Sequence, residues 1–312
     1  MHQKIRGSPR RVGLMSKGRS IGKIILYIAL FIIVQLVVTM VYMAVRVFIM
    51  AFSSEVIGGG ISGPIEDDVA YLTGYFIESA NIDLVFAILI SSIVTLLIVF
   101  LIYRKNTAKE LDLGKMSIKN IGIVVMLGIT LNILVSYVIY VFDLDRLSPG
   151  HAELMELLLG NSTFIITLLA MGIFGPILEE VIFRGIIYKE LKKIANYWVA
   201  MILQALIFGV IHGNLLQGTY AFILGIIMAV IYDKSKSLVS AIIFHIAFNS
   251  ASVIMYFAFS EAFLESMTIP LVIGSAVIAA VSSVVFYNSD PDMKEDVWGY
   301  SDSQAELEKR YN

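Results

Sequence analysis

The chain has 312 residues, of which 58% are hydrophobic and only 15% are charged, and its mean hydropathy is +0.84. Soluble domains carry roughly 25% charged residues, so this composition excludes a soluble globular protein and indicates a membrane protein with several spans. Cysteine is absent, which excludes disulfides, thiolate metal ligands and a cysteine nucleophile. The net charge of -2 gives no sign of a nucleic-acid partner.

Eight apolar stretches are long enough to be considered as membrane-spanning helices. They cover residues 24–52, 83–103, 120–142, 163–188, 197–212, 215–232, 237–259 and 267–287. We therefore expect an all-α, polytopic helical bundle of about eight spans. The fifth and sixth stretches are short enough to form one re-entrant unit. The first is far longer than the apolar core of a signal peptide, so it should stay in the membrane.

Basic residues set the expected orientation. Residues 1–23 contain seven Lys or Arg and no acid, whereas residues 53–82 contain five acids and no base. The positive-inside rule then places both termini of an eight-span chain in the cytoplasm, here of a bacterial plasma membrane. The expected regions are a basic cytoplasmic segment (1–23), three helices with their loops (24–159), a membrane core (160–288) and an acidic, disordered tail (289–312).

Ionisable side chains inside spans are rare and suggest function by default. The stretch "GPILEEVIFRG" carries Glu179, Glu180 and Arg184. Glu180 and Arg184 are four residues apart, so they share a helical face and can neutralise each other. Glu179 is rotated by about 100° from Glu180 and lacks that partner. The preceding Gly175 and Pro176 interrupt helical hydrogen bonding, which could admit water to an intramembrane polar cavity.

Two further polar pairs have helical spacing. "FGVIH" places Phe208 and His212 one turn apart, and "HIAFN" does the same for His245 and Asn249. Each pair alone could be helix-packing or interhelical hydrogen-bonding structure. At about 1.5 Å per residue, Glu179 and His212 reach similar depths in their helices, so these groups could surround one cavity.

The sequence resembles the CPBP family of intramembrane proteases, which includes the type II CAAX prenyl endopeptidases and bacterial Abi proteins. The family motifs EExxxR, FxxxH and HxxxN occur in order as "EEVIFR" (179–184), "FGVIH" (208–212) and "HIAFN" (245–249). The resemblance covers about residues 160–255. It implies an endopeptidase within the bilayer whose substrate is a membrane-associated or lipidated peptide or protein.

The resemblance also implies roles for four side chains. Glu179 is the base that activates water, His212 orients that water, and His245 with Asn249 forms the oxyanion site. Glu179, His212 and His245 could instead hold a divalent metal such as zinc, although the same groups can activate water without one. Both alternatives stay open at this stage.

The remaining motif residues are expected to support the site. Glu180 and Arg184 should fix the helix as an ion pair, and Phe208 should pack beside the site. Arg46 lies near a span end, where it can snorkel to the interface, and it is expected to be structural.

Two other functional classes are alternatives to proteolysis. One is a non-catalytic membrane partner that regulates another membrane protein, such as a sensor kinase or a bacteriocin-immunity target. Another is a transporter, which no matching pair of broken helices supports. The rhomboid-like "GISG" at 60–63 is expected to be a flexible turn, and HExxH is absent. The sequence sets neither the substrate's prenylation nor the oligomeric state.

Overall fold

The computed structural model describes residues 9–57, 65–160, 162–259 and 261–289. The described residues form an all-α bundle without strands. Its main helices are α1 (Pro9–Ile57), α2 (Ile65–Tyr103), α3 (Ile118–Val141), α4 (Pro149–Leu159), α5 (Phe164–Lys192), α6 (Tyr197–Ile211), α7 (Leu215–Ser235), α8 (Leu238–Ala258) and α9 (Glu261–Asn288). Short helical turns at Arg104–Asn106, Thr107–Glu110 and Leu144–Leu147 join them. The "GISG" turn and the tail beyond residue 289 lie outside the described residues.

The polytopic prediction is confirmed, with one difference in length. Within the described residues, seven helices are long and apolar enough to cross a membrane, and α6 is shorter. Its 15 residues extend only about 22 Å, less than the roughly 30 Å hydrocarbon core. Gly213 has a φ of 75°, which glycine adopts without strain, and it lets the chain turn back into α7. The predicted fifth and sixth spans therefore form a hairpin with one short arm.

Side-chain caps explain where several helices begin. Ser117 accepts a hydrogen bond from the Asn120 amide at the start of α3, and Asn196 and Asn214 cap α6 and α7 in the same way. Such caps satisfy backbone donors that lack a partner in the first turn.

Polar contacts connect several helix ends on one face of the bundle. These are the ends that the sequence predicts to be cytoplasmic. The contacts are Ser20–Glu190 at 2.8 Å, Lys189–Asp112 at 2.7 Å, Lys192–Asp233 at 2.7 Å and Lys234 over the Tyr287 ring at 3.5 Å. Because Lys192 ends α5 and Asp233 lies near the end of α7, the α6–α7 hairpin enters and leaves at the same face. The start of α1 and the end of α9 also lie on this face. Whether the face is cytoplasmic stays a prediction.

Close packing places α8 against α3 and α5. A Cβ on Gly128 of α3 would lie 2.6 Å from the Phe244 carbonyl oxygen of α8, so only glycine allows this approach. Asn132 Nδ2 donates to Ser252 Oγ at 2.5 Å across the same contact. Small residues and polar side chains are the usual means of joining helices in lipid, where apolar burial gives little driving force.

Three sequence-based expectations need correction. The acidic loop predicted at 53–82 is mostly helical, because α1 continues to Ile57 and α2 begins at Ile65. Arg46 does not simply snorkel, since its Nε lies 2.8 Å from a carboxylate oxygen of Asp83, which is 3% exposed. Helix α4 was not predicted; it packs Leu158 and Leu159 against α2 and α5.

Candidate active site

Helix α5 carries the two glutamates on a short α-helical stretch between two π-helical segments. The stretch is Gly175–Ile182, and the π-helical segments are Leu168–Phe174 and Phe183–Tyr188. π-helical turns are rare and are frequently found at functional sites. The predicted interruption of α-helical hydrogen bonding near Gly175 and Pro176 is therefore confirmed. The helix stays continuous there, but its hydrogen-bond pattern changes from π-helical to α-helical.

Glu180 and Arg184 form the predicted ion pair. Arg184 Nη1 donates to Glu180 Oε1 at 2.6 Å, and both side chains are fully buried. Arg184 also donates from Nη2 to the Gly225 carbonyl of α7 at 3.3 Å, and its guanidinium lies 4.4 Å from the centre of the Phe208 ring. A buried charge pair is tolerated when further contacts satisfy its polar atoms, as they do here in part.

His245 lies between the two glutamates. Its Nδ1 is 2.9 Å from Glu180 Oε1, and its Nε2 is 3.7 Å from Glu179 Oε2. An ionised carboxylate can only accept, so Nδ1 carries the proton of the bond to Glu180. A neutral His245 then presents a lone pair at Nε2 towards Glu179. Two acceptors thus face each other, which leaves room for a group that donates protons.

Glu179 is the glutamate that faces this gap. Its side chain is 23% exposed, whereas that of Glu180 is fully buried. Glu179 Oε2 is itself buried and has no hydrogen-bond partner in the described part of the chain. Glu180 Oε2 also lacks a partner there, so the two carboxylates differ in exposure and in the bonds that Glu180 Oε1 accepts from Arg184 and His245. The reactive role of Glu179 stays a prediction.

His212 and His245 both pack against the Phe208 ring. The Phe208 ring meets the His212 ring at 4.8 Å between centroids and the His245 ring at 5.9 Å, both nearly perpendicular. His212 Nδ1 donates to the Phe208 carbonyl oxygen at 2.7 Å. This bond fixes the tautomer of the neutral ring and leaves Nε2 as an acceptor.

Asn249 lies one turn beyond His245 on α8 but has a different partner. Its Nδ2 donates to the Met171 carbonyl of the first π-helical segment at 3.1 Å. Asn249 therefore joins α8 to α5, as the interhelical hydrogen-bonding alternative predicted. Its oxyanion role stays a prediction.

Two groups of the site were not predicted. The Gly225 carbonyl accepts from Arg184 and also from Gln204 Nε2, at 2.9 Å for the latter. A Cβ on Gly225 would lie 3.0 Å from the Ala205 Cβ, which explains the glycine. A backbone acceptor has no sequence signal, so only the tertiary structure could identify it. Ser250, beside Asn249, is the second group.

The three predicted metal ligands do not assemble as a set. Among the described residues, no group of three or more His, Asp or Glu side chains is close enough to hold a metal ion together. Catalytic zinc sites in proteins use three protein ligands. Glu179 and His245 are adjacent, but the geometry does not add His212 to them, so the arrangement does not fit such a site.

Part of the chain matches a known protein family. Residues 161–251 match the family described as type II CAAX prenyl endopeptidase, Rce1-like. The matched region runs from the start of α5 into α8 and contains all three motifs. The resemblance inferred from those motifs is therefore confirmed over this region.

Curated relatives match over longer stretches. YdiL of Bacillus subtilis, whose name proposes a membrane peptidase, is 31% identical over 137 residues, which are 43% of this chain and 55% of YdiL. The membrane-embedded CAAX protease MroQ of Staphylococcus aureus is 26% identical over 205 residues, or 60% of this chain and 81% of MroQ. The chain thus spans only about half the length of YdiL. No solved structure shows significant similarity.

Proposed function

We propose that this chain, whose residues 161–251 belong to the Rce1-like family, is an intramembrane endopeptidase that hydrolyses a peptide bond of a membrane-associated or lipidated peptide or protein. The relatives named as a membrane peptidase and a CAAX protease support a peptidase. The residues that perform the reaction and the order of its steps are our inference from the geometry.

One observation carries the proposal. Glu179 Oε2 is buried without a hydrogen-bond partner in the described residues and lies 3.7 Å from His245 Nε2. A water molecule in this gap could donate a hydrogen bond to Glu179 Oε2, and the ionised carboxylate can accept a proton from it. A carboxylate placed in this way can act as a general base on water.

The proposed reaction uses Glu179 as the proton carrier. Glu179 takes a proton from water while the water oxygen adds to the carbonyl carbon of the scissile peptide bond. The carbonyl π electrons move to oxygen and form an oxyanion. When the tetrahedral intermediate collapses, the C–N bond breaks, and the proton on Glu179 passes to the leaving nitrogen. The carboxylate is thereby regenerated.

His212, His245 and Asn249 are proposed to act on the water and the oxyanion. His212 Nε2 is an acceptor and can orient the water. The Asn249 side-chain amide has two N–H donors. One of them donates to the Met171 carbonyl, so the other can donate to the oxyanion. His245 is proposed to donate to the oxyanion from Nε2 in its doubly protonated form, and not in the neutral form whose Nε2 lone pair faces Glu179.

The decisive experiment compares wild type with Glu179→Gln. The substitution keeps the shape of the side chain and removes the base, so cleavage should be abolished at normal abundance. Glu153→Gln, the same change at an exposed position of α4, serves as the matched control and should leave cleavage unchanged. Normal cleavage by Glu179→Gln would exclude the proposed base.

Two further measurements complete the test. Comparing the membrane peptidomes of cells that carry wild type or Glu179→Gln would identify the substrate, and no difference between them would favour the non-catalytic partner. Because three metal ligands do not assemble here, cleavage should survive treatment with a zinc chelator. Loss of activity that added zinc restores would contradict this metal-free step.

A further inference from the structure

The first π-helical segment of α5 leaves two adjacent carbonyls without their usual donors. In an α-helix, each carbonyl accepts from the N–H four residues later. The Met171 carbonyl lacks this bond because the Gly175 N–H goes to the Ala170 carbonyl instead. The Gly172 carbonyl lacks its α-helical donor because Pro176 has no N–H. For the same reason, the Met171 carbonyl also lacks the π-helical donor five residues later. Unpaired backbone groups are costly at membrane depth, so the Met171 carbonyl needs a donor from outside α5, and the Gly172 carbonyl can accept one.

Two consecutive side chains of α8 supply them. Asn249 Nδ2 donates to the Met171 carbonyl at 3.1 Å, and Ser250 Oγ donates to the Gly172 carbonyl at 3.2 Å. The second contact depends on a glycine, because a Cβ on Gly172 would lie 2.8 Å from Ser250 Oγ. Helix α8 thus replaces from the side the hydrogen bonds that α5 cannot make for itself.

The surroundings of Ser250 leave its hydroxyl few other partners. Ser250 lines a groove of about 870 Å³ between α3, α8 and α9, and every other residue of that lining is apolar. A hydroxyl in this position gains by donating to a carbonyl within reach, and the Gly172 carbonyl lies 3.2 Å away. The bond runs from α8 to α5 because a carbonyl oxygen can only accept.

We propose that Ser250, acting with Asn249, is a positioning residue for the catalytic glutamate. The inference rests on the proposed function. A π-helical turn adds one residue to the helix, and one residue corresponds to about 100° of rotation. The register of Leu168–Phe174 therefore sets how Glu179 is turned relative to the part of α5 that precedes it. The two side chains of α8 hold that register and so keep Glu179 facing His245, which lies on the same helix as they do.

The test is a double-mutant cycle between Ser250→Ala and Pro176→Ala. Ser250→Ala alone should lower kcat by on the order of tenfold to a hundredfold with little change in KM, because Glu179 is misaimed while the substrate still binds. Alanine at position 176 restores a backbone N–H that can pair with the Gly172 or Met171 carbonyl. In the Pro176→Ala protein, Ser250→Ala should therefore reduce kcat by a factor at least about threefold smaller than the factor by which it reduces kcat in the wild type.

The matched control is Ser252→Ala on the same helix. Ser252 accepts a hydrogen bond from Asn132 of α3 and does not bond to the π-helical segment. Its replacement should lower the melting temperature without changing kcat. A wild-type kcat for Ser250→Ala, equal losses in both backgrounds, or an equal loss of kcat for Ser252→Ala would each overturn the positioning role.

A second readout separates this inference from the proposed function. If Glu179→Gln still cleaves, the proposed base is wrong. The role of Ser250 in the helical register is then decided by thermal unfolding of the same four proteins, wild type, the two single variants and the double variant. Non-additive unfolding free energies are expected from the shared carbonyls, and additive ones would refute the link.

Discussion

Glu179 and Glu180 are adjacent in the chain but have different surroundings. Glu180 Oε1 accepts from Arg184 and from His245, and Glu180 is fully buried, whereas Glu179 is 23% exposed. Oε2 of either carboxylate lacks a hydrogen-bond partner within the described residues, so the bonds to Oε1 are what distinguish Glu180. Glu180 is thereby held in place, and Glu179 is the glutamate that we propose reacts. This difference leads to opposite expectations when each is replaced.

Glu180→Ala should destabilise the protein more than it affects any single catalytic step. It leaves the Arg184 charge buried without its carboxylate and removes the acceptor of His245 Nδ1, and losing one partner of a buried pair costs about 3–5 kcal/mol. Thermal unfolding of the purified protein in detergent would measure the loss. Glu179→Gln should unfold close to wild type in the same assay, and an equal loss for both variants would contradict the assignment.

Asn249→Ala should affect both turnover and stability, because the amide is proposed to have two functions. Loss of an oxyanion donor slows turnover by on the order of a hundredfold, while loss of the interhelical bond to Met171 costs roughly 0.5–2 kcal/mol. Asn132→Ala removes a comparable bond to Ser252 without touching the site and serves as the control. If Asn249→Ala melts early but cleaves at the wild-type rate per folded molecule, the oxyanion role is wrong.

At the scale of single elements, the hairpin of α6 and α7 positions His212. A Cβ on Gly218 would lie 2.8 Å from the Gly209 carbonyl oxygen, so the two helices can approach closely only at glycine. His212 follows α6 directly, one turn after Phe208. Any separation of the two helices would therefore move the His212 ring relative to Phe208 and the rest of the site.

Gly218→Ala should lower both stability and activity. Forcing a methyl group against a backbone atom typically costs about 1–3 kcal/mol, and the displaced hairpin should misplace His212. Gly122→Ala is the matched control, since no atom lies within 4 Å of a Cβ at that helical position of α3. The control should be neutral or stabilising, because alanine favours helices over glycine. Normal cleavage by Gly218→Ala would show that the close approach is not required.

The elements also show what could be predicted from sequence and what could not. The i, i+4 spacing of Glu180 and Arg184 predicted their pairing, because both lie on one helix and helical geometry is local. The contact of His245 with both glutamates required the packing of α8 on α5. The role of Ser250 depends on a helical register that no local pattern specifies, and the Gly225 carbonyl has no side chain to mark it.

At the scale of the whole molecule, one face joins the ends of most helices. Contacts to Glu190, Asp112 and Asp233 connect the start of α1, the segment after α2 and the ends of α5 and α7. The short α6 does not change this arrangement, because its hairpin with α7 returns to the face from which it started. The chain thus crosses the membrane an even number of times between the start of α1 and the end of α9, whether or not α6 spans it completely.

The orientation of this face is the last prediction. Residues 1–23 are basic, and so are the connections at 104–119, 188–193 and 233–237, which the positive-inside rule places in the cytoplasm together with both termini. The cysteine-free chain allows single-cysteine variants, and Gly18→Cys and Gly150→Cys suit this purpose because a Cβ at either position meets no atom within 4 Å. A membrane-impermeant maleimide should label Gly150→Cys in intact cells, and it should label Gly18→Cys and Ser289→Cys only after permeabilisation. Labelling of Gly18→Cys in intact cells would show that the topology is the reverse of the predicted one. Labelling of Ser289→Cys but not of Gly18→Cys in intact cells would contradict the conclusion that the start of α1 and the end of α9 lie on the same face.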